Sequence, residues 1–176
     1  MMAINKSKVI NPSLFIITLL FFVGSIFHGT EASAEMKKVS GTSKLLKRIL
    51  TSQSVFNETN VRLINNLQLY SSSDPDWDKA RVFSIFFYIN PTRDGDDYKG
   101  CLVVTHQNGD QSFVEYDGSW KWALPKDGVS WISESKGRFT GGTGKFEWIS
   151  GTITIKVEGK YKSYTSATWE AEYEIK

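Results

Sequence analysis

Apolar and polar side chains alternate along much of the chain after residue 55. The last segment shows this most clearly, because nearly every second side chain from Ala167 to Ile175 is apolar, while Thr168 and three glutamates lie between them. Residues 61–69 show the same period, with valine or leucine at most odd positions. A period of two is typical of a β-strand with one buried face. Both segments are therefore predicted to be strands.

Residues 81–89 depart from this alternation, because apolar and aromatic side chains leave almost no polar face. Such a continuous apolar run is typical of a strand that is covered on both sides. We therefore expect 81–89 to be an interior strand or a strand that faces another subunit.

Turn sequences separate the predicted strands. Asn108-Gly109, between 100–107 and 111–117, is the strongest hairpin signal, because both residue types tolerate positive φ. Further turns are predicted at 71–76, 90–97, 117–118, 127–128 and 158–160. About eight strands and no sustained helical pattern after residue 54 predict an all-β fold, an antiparallel eight-stranded up-and-down barrel, whose closure removes exposed edges. A two-sheet sandwich is the alternative.

The N-terminal residues 1–34 have the three parts of a secretory signal peptide. Lys6 and Lys8 precede an apolar run from Leu14 to Phe27, and Ala32-Ser33-Ala34 supplies a small-residue cleavage site. The run is short for a bilayer span, which needs about 20 residues. The sequence therefore predicts a secreted or periplasmic protein with no membrane span after cleavage, and an uncleaved membrane anchor is the alternative.

The segment 35–54 has a weaker pattern. Ser43 is a candidate cap for a short helix with Leu45, Leu46, Ile49 and Leu50 on one face, although a first strand would look similar. The predicted organisation is therefore a signal peptide (1–34), an N-terminal arm or short helix (35–54) and one β-barrel domain (55–176).

The net charge and the small number of cysteine and histidine residues argue against several classes of function. Signal cleavage removes two lysines and one glutamate, which changes the net charge from +2 to +1. Such a balance offers no basic surface for nucleic acid. Cys101 is the single cysteine and His106 the single histidine of the mature chain. No disulfide, no metal site and no cofactor are therefore predicted. Asn57 begins a glycosylation sequon that matters only in a eukaryotic host.

Nucleophilic catalysis also has weak support in the sequence. Cys101 and His106 are five residues apart on one predicted strand, so they are expected on opposite faces. A Ser–His–Asp site would have to use His106, and the chain has no Gly-x-Ser-x-Gly elbow.

Glycines cluster between Gly141 and Gly151. Gly-Gly-Thr-Gly-Lys at 141–145 suggests a phosphate-binding loop, but Phe139 and Phe146 occupy the positions where that loop needs a glycine and a hydroxyl residue. We interpret Gly141, Gly142 and Gly144 as a tight bend at a barrel corner, followed by a strand that carries Phe146 and Trp148 and ends at Gly151.

The stretch from Arg138 to Gly151 resembles the glycine-rich strand–turn–strand signature of the allene oxide cyclase-like barrels, which include plant dirigent proteins and secreted bacterial proteins. The hairpin from Gly109 to Gly118 is compatible with that pattern. The resemblance covers about 80–176 and implies an eight-stranded barrel with a hydrophobic cavity, trimeric in many plant members. No matching motif places the plant enzymes' catalytic carboxylate on this chain.

Aromatic side chains and one carboxylate are the candidate site residues. The predicted ligand contacts are Trp120, Trp122, Trp131 and Phe113, with Trp120 and Trp122 at a barrel mouth. Glu115 shares a face with Phe113 and is the candidate general base, because burial would raise its pKa. Trp148 and Trp169 are predicted to fill the core.

The sequence therefore predicts an exported small barrel that binds a small hydrophobic ligand or a protein partner without catalysis. An isomerase or cyclase that acts on a lipid-like substrate, with Glu115 as the base, is one alternative. A structural oligomer of the envelope or extracellular matrix is the other, and the resemblance implies a homotrimer.

Overall fold

The computed structural model describes residues 34–55, 59–92, 95–126, 129–160 and 163–176. The chain divides into two units, Met1–Ser33 and Ala34–Lys176. The predicted signal peptide, apart from Ala34, and the sequon at Asn57 lie outside the described residues. Within the described ranges no helix is long and apolar enough to cross a membrane.

Eight antiparallel strands form a closed barrel in which each strand pairs with the next and β8 pairs with β1. The strands are β1 (Lys37–Val55), β2 (Thr59–Ser72), β3 (Arg81–Ile89), β4 (Gly95–Thr105), β5 (Gln111–Lys126), β6 (Val129–Gly142), β7 (Ile149–Lys160) and β8 (Ser163–Ile175). The predicted up-and-down barrel is confirmed. Alternation along each strand directs one set of side chains inward and the other to the outer wall.

The arm or short helix predicted at 35–54 is instead most of strand β1, so the barrel begins at Lys37 rather than at residue 55. A bulge between Leu45 and Lys47 shifts the register of β1 against β2. The extra residue interrupts the period of two and makes the apolar positions resemble a helical face. Pairing with both β2 and β8 outweighs this weak local pattern.

Two glycines predicted to be in turns lie inside strands. Gly118 is in β5, where a Cβ atom would stand 2.8 Å from the ring of Tyr98. Gly159 is in β7, and the indole of Trp131 occupies the space where its Cβ would be. These glycines admit an aromatic ring from a neighbouring strand rather than a change of direction. Trp120 and Trp122 consequently continue the same strand, β5, instead of following a turn.

The hairpin predicted at Asn108-Gly109 is confirmed, with a longer loop than a two-residue turn. The His106 N–H donates to the Asp110 carbonyl at 2.9 Å, and the Gly109 N–H donates back to the His106 carbonyl at 3.0 Å. Gly109 has a positive φ of 90°, whereas Asn108 does not adopt the left-handed region.

Strand β3 is covered on one side only. Its side chains alternate between the barrel interior, where Val82 and Tyr88 are buried, and the outer wall, where Phe83 and Ile89 are 45% and 62% exposed. The prediction that both faces are covered is therefore wrong for the single chain. A role of β3 in facing another subunit stays a prediction.

The glycine-rich stretch makes the bend between β6 and β7. Gly141, Gly144 and Gly151 have positive φ values of 131°, 54° and 133°, which agrees with the barrel corner inferred from the sequence. Phe146 lies in a 3-10 helix (Gly144–Phe146), so the strand predicted to carry it is wrong. Gly151 lies near the start of β7 rather than at the end of a strand. Trp148 is exposed and not in the core.

The connection from β2 to β3 closes one end of the barrel by inserting Trp77. Trp77 is fully buried, and its Nε1–H donates to the Tyr173 hydroxyl at 3.2 Å. Its ring centroid lies 5.5 Å from that of Trp169, which is in the core as predicted, and 6.0 Å from that of Phe146. We call this end the Trp77 plug. The densest part of the core lies around it.

Candidate functional site: a cavity in the barrel

A cavity of about 230 Å³ lies inside the barrel and is lined by residues of β1 to β7. Trp77 and its neighbours in the plug do not line it. Its aromatic lining consists of Tyr70, Phe86, Tyr88, Tyr98, Tyr116, Trp120, Trp122 and Trp131. The aliphatic lining consists of Ile64, Val82, Leu102, Ile155 and Val157. An apolar chamber with few polar groups is typical of a small-molecule site.

The aromatic side chains hold one another in tilted and edge-to-face arrangements. The ring centroids of Phe86 and Tyr98 are 5.1 Å apart, and those of Tyr88 and Tyr98 are 5.5 Å apart. Trp120 and Trp122 meet at 5.4 Å with an interplanar angle of 85°. Because each ring is positioned by its neighbours, such contacts favour fixed side chains in the cavity wall and oppose their collapse into the cavity.

Three hydroxyl groups form a compact network on one wall of the cavity. The Tyr98 hydroxyl lies 2.6 Å from the hydroxyl oxygens of both Ser133 and Ser135. Each hydroxyl has one proton to donate, and the two hydrogen bonds use two of the three protons. The network therefore has a donor left for a polar group of a ligand.

Burial fixes the protonation of the cavity tyrosines. It raises the pKa of Tyr88 and Tyr116 well above the usual range. It also raises the pKa of Tyr98, where the hydrogen bonds with the two serines offset part of this effect. The tyrosine hydroxyls are therefore neutral near pH 7. They act as hydrogen-bond donors or acceptors and not as bases.

Arg48 is the one charged residue in the described lining of the cavity. It is exposed at the mouth, and its Nε–H donates to the Asn66 side-chain oxygen at 2.9 Å. The Asn66 side chain is buried on β2, so this bond holds the guanidinium group toward the barrel interior. The Arg48 guanidinium group is therefore held beside the apolar walls of the cavity.

Three of the predicted ligand contacts line the cavity, namely Trp120, Trp122 and Trp131. Their part in binding stays a prediction. Phe113 does not line the cavity, because its neighbours Ser112 and Val114 are the residues of β5 that point inward and are buried.

Glu115, the candidate general base, lies on the outer wall. Its side chain is 61% exposed and accepts a hydrogen bond from Arg138 at 3.1 Å. Sharing a face with Phe113 is what the sequence predicted, but that face is the solvent side of β5. Glu115 therefore cannot reach a ligand in the cavity, and the mechanism assigned to it is wrong.

His106 contacts a serine, although not in a reactive arrangement. Its Nδ1–H donates to the Asp76 backbone carbonyl at 2.8 Å, and its Nε2 accepts from the Ser112 hydroxyl at 3.1 Å. Ser112 is fully buried, so no substrate can reach its oxygen. Burial lowers the pKa of His106, which keeps the ring neutral. Cys101 is exposed, on the opposite face from His106 as predicted.

The described part of the chain contains no cluster of side chains that could bind a metal ion. No group of three or more histidine, cysteine or acidic residues is placed there to hold an ion. The half-buried carboxylate of Asp96 accepts the Thr92 N–H at 2.8 and 2.9 Å, which stabilises the connection before β4.

The polar side chains of the cavity were not predicted from the sequence. Ser133 and Ser135 are small polar residues at alternate positions of β6, a signal that was readable as an inward polar face. Arg48 was hidden by the bulge in β1, because the shift of register reverses the face on which it lies. Nothing in the sequence distinguishes Tyr98 and Tyr116, which line the cavity, from tyrosines of the core.

Comparison with known proteins gives a likeness of fold. No protein-family model matches the sequence, and no curated protein matches it. Among solved structures, a protein of unknown function from the DUF3224 family of Shewanella oneidensis MR-1 is similar, with 14% identity, a TM-score of 0.50 and coverage of 81% of this chain and 98% of that one. This likeness shows a shared barrel fold and nothing about function.

Two pterocarpan synthase dirigent proteins are also similar in structure. GePTS1 is 9% identical, with a TM-score of 0.45 and coverage of 82% of this chain and 86% of that one. PsPTS1 is 9% identical, with a TM-score of 0.48 and coverage of 81% and 97%. Similarity at this level carries no functional argument, and membership of the allene oxide cyclase-like superfamily stays a prediction.

Proposed function

We propose that this protein is an exported, non-catalytic β-barrel that binds a small hydrophobic ligand in the cavity. The observation that carries the proposal is the cavity of about 230 Å³ with eight aromatic side chains in its wall. Export to the outside or to the periplasm is supported by the sequence of residues 1–34.

The size of the cavity limits the ligand. An apolar cavity of about 150 Å³ in another protein accommodates benzene. A volume of about 230 Å³ therefore suits one substituted aromatic ring. Burial of apolar surface contributes roughly 25 cal/mol per Å², and the aromatic walls add stacking and edge contacts with a planar ring.

The lining favours binding over chemistry. Its described residues include no aspartate, glutamate, histidine or cysteine, and the tyrosines are held neutral by burial. An isomerase or cyclase that abstracts a proton needs a base within hydrogen-bond reach of the substrate. The cavity offers none in that part of the chain, and Glu115 is outside it.

The proposal is tested by blocking the cavity. 3-Phenylpropanamide, a neutral single-ring probe, is titrated into the mature protein and binding is followed by isothermal calorimetry. Val157→Trp adds a large ring to the cavity wall and is expected to abolish the binding heat. Lys156→Trp, on the exposed outer face of the same strand, is the matched control and should bind normally. Absence of binding to the wild type, or equal binding by Val157→Trp, would contradict a ligand site in the cavity.

We propose, in addition, that copies of this chain associate through the outer wall of β2 and β3. The supporting observation is a set of exposed apolar side chains on these adjacent strands: Leu67, Phe83, Phe87 and Ile89. Contiguous apolar patches on a protein surface often mark protein–protein interaction sites. A homo-oligomer, trimeric by the resemblance noted in the sequence, would cover them.

A further inference from the structure

We propose that the ligand is an uncharged aromatic carbonyl compound whose carbonyl oxygen accepts a hydrogen bond from the hydroxyl network of Tyr98, Ser133 and Ser135. This inference rests on the ligand-binding function proposed above and adds the chemical class of the ligand. It is carried by three buried hydroxyl groups in the cavity wall, which hold more protons than their own hydrogen bonds use.

The fold builds this network across a position that has no side chain. Tyr98 on β4 and Ser135 on β6 are both paired with Gly118 of β5, the strand between them. A Cβ atom at Gly118 would lie 2.8 Å from the Ser135 hydroxyl oxygen and 2.8 Å from the Tyr98 ring. The glycine therefore leaves the space through which the Tyr98 hydroxyl reaches β6.

The network has one proton more than it uses. Tyr98, Ser133 and Ser135 have one hydroxyl proton each, and the two bonds at 2.6 Å use two of these protons, whichever atoms donate. Burial raises the pKa of Tyr98, so its hydroxyl keeps its proton near pH 7. Because a buried donor without an acceptor is costly, a ligand that displaces water from this wall must offer an acceptor.

The wall formed by β2 also supplies donors. The Nε–H of Arg48 can only donate, so the Asn66 atom that faces it at 2.9 Å is the amide oxygen. The Asn66 amide nitrogen therefore points away from this bond, with two protons to donate. Asn66 is buried and lines the cavity. Donors thus lie on β2 as well as on β4 and β6.

A carbonyl group matches these donors better than other polar groups do. Its oxygen has two lone pairs and brings no proton, whereas a ligand hydroxyl would add a proton to a network that already has one in excess. An ionised group would be costly to bury against neutral hydroxyls. The rings of Phe86 and Tyr88 lie 5.1 and 5.5 Å from that of Tyr98, where they can contact an aromatic ring attached to the carbonyl.

The test compares acetophenone with α-methylstyrene, which has nearly the same shape but a CH₂ group in place of the carbonyl oxygen. Both are titrated by isothermal calorimetry into the mature wild-type protein and into the triple variant Tyr98→Phe, Ser133→Ala and Ser135→Ala. We expect the affinity for acetophenone relative to α-methylstyrene to fall about fivefold in the variant, as the loss of one neutral hydrogen bond predicts. Tyr88→Phe, which removes the hydroxyl of another tyrosine of the lining, is the matched control and should keep the wild-type ratio.

A second measurement does not depend on a variant. The carbonyl stretching band of acetophenone bound to the wild type should lie at a lower frequency than in a hydrocarbon solvent, because hydrogen bonding weakens the C=O bond. 1-Phenylethanol, with a hydroxyl in place of the carbonyl, should bind the wild type more weakly than acetophenone. An unshifted band, or tighter binding of the alcohol, would overturn the carbonyl class.

The outcomes separate this inference from the function on which it rests. An affinity ratio that is the same in the wild type and the triple variant would overturn the role of the network and leave ligand binding intact. An equal fall of the ratio in Tyr88→Phe would also overturn it. Binding of none of the single-ring compounds, 3-phenylpropanamide included, would overturn the proposed function itself. Thermal unfolding of each variant establishes that a loss of binding does not come from a loss of fold.

Discussion

At the scale of single residues, the closed end of the barrel depends on a neutral histidine. The ring of His106 stacks on Phe146 with centroids 3.8 Å apart and bonds to the Asp76 carbonyl and the Ser112 hydroxyl. These bonds need one protonated and one unprotonated ring nitrogen. A second proton would remove the acceptor that the Ser112 hydroxyl uses and would place a charge inside the core.

Stability should therefore depend on pH through His106. Burial is the main cause that lowers its pKa in the folded protein, while Asp76 and Asp110 act in the opposite direction. The unfolded chain then binds a proton more readily, so the free energy of unfolding should be highest above about pH 6.5 and decrease as the pH falls below that value. Thermal unfolding between pH 7.5 and 5.0 measures this decrease.

The variant His106→Gln isolates the contribution of the histidine. It cannot titrate in this range, so its unfolding temperature should change less between pH 7.5 and 5.0 than that of the wild type, even though it is less stable overall. The same slope in both proteins would show that His106 does not control the acid sensitivity. Cys101→Ser, a change on the exposed face of β4, should keep the wild-type slope.

At the scale of elements, the bend between β6 and β7 is set by one carboxylate. Asp110, in the loop between β4 and β5, accepts the Lys145 N–H at 2.9 Å and the Asn108 amide at 2.8 Å. Its carboxylate also occupies the space beside Gly144 where a Cβ would be. Two loops are thereby joined. The Lys145 side chain also forms an ion pair with Asp76, next to Trp77 in the plug.

Gly144→Ala is therefore expected to destabilise the protein by about 1–3 kcal/mol, because positive φ and contact with Asp110 both oppose a side chain. Urea unfolding measures the change. Glu147→Ala, an exposed position three residues later, should stay within about 0.5 kcal/mol of the wild type. A neutral effect of Gly144→Ala would mean that the bend adjusts, and that the glycine is not required there.

At the scale of the whole molecule, the two ends of the barrel differ from each other, and so do two parts of its outer wall. Aromatic packing around Trp77 fills one end, while the cavity takes the space lined by Trp120 and Trp131. The outer wall of β7 and β8 is polar, with Thr154 and Glu170 facing solvent, whereas the outer wall of β2 and β3 is apolar. This asymmetry of the outer wall is the basis of the proposed association.

The double variant Phe83→Glu and Phe87→Glu should convert the oligomer to a monomer, because charges would enter an apolar interface. Native mass spectrometry and light scattering give the subunit count. Thr154→Glu, on the polar wall of β7, is the control and should assemble as the wild type does. A wild type that is monomeric at all tested concentrations would contradict the association, without bearing on the cavity.

The cavity and the bulge show how far sequence reasoning extends. Period-two alternation identified the inward face of β8, where Trp169 and Tyr173 are buried. The same reasoning placed Glu115 on one face of its strand. It did not determine whether that face is inside or outside the barrel, because alternation alone does not say which face is inside. In β1 one extra residue at the bulge hid both the strand and Arg48.

The sequence by itself determined the all-β class, the antiparallel order and the glycine bend, because these follow from local periodicity and turn chemistry. Only the tertiary structure decided which side chains surround the cavity, since that depends on strand register and barrel closure between distant parts of the chain. Arg48, Tyr98 and Ser135 are brought together by pairings across several strands. No local pattern could place them in one site.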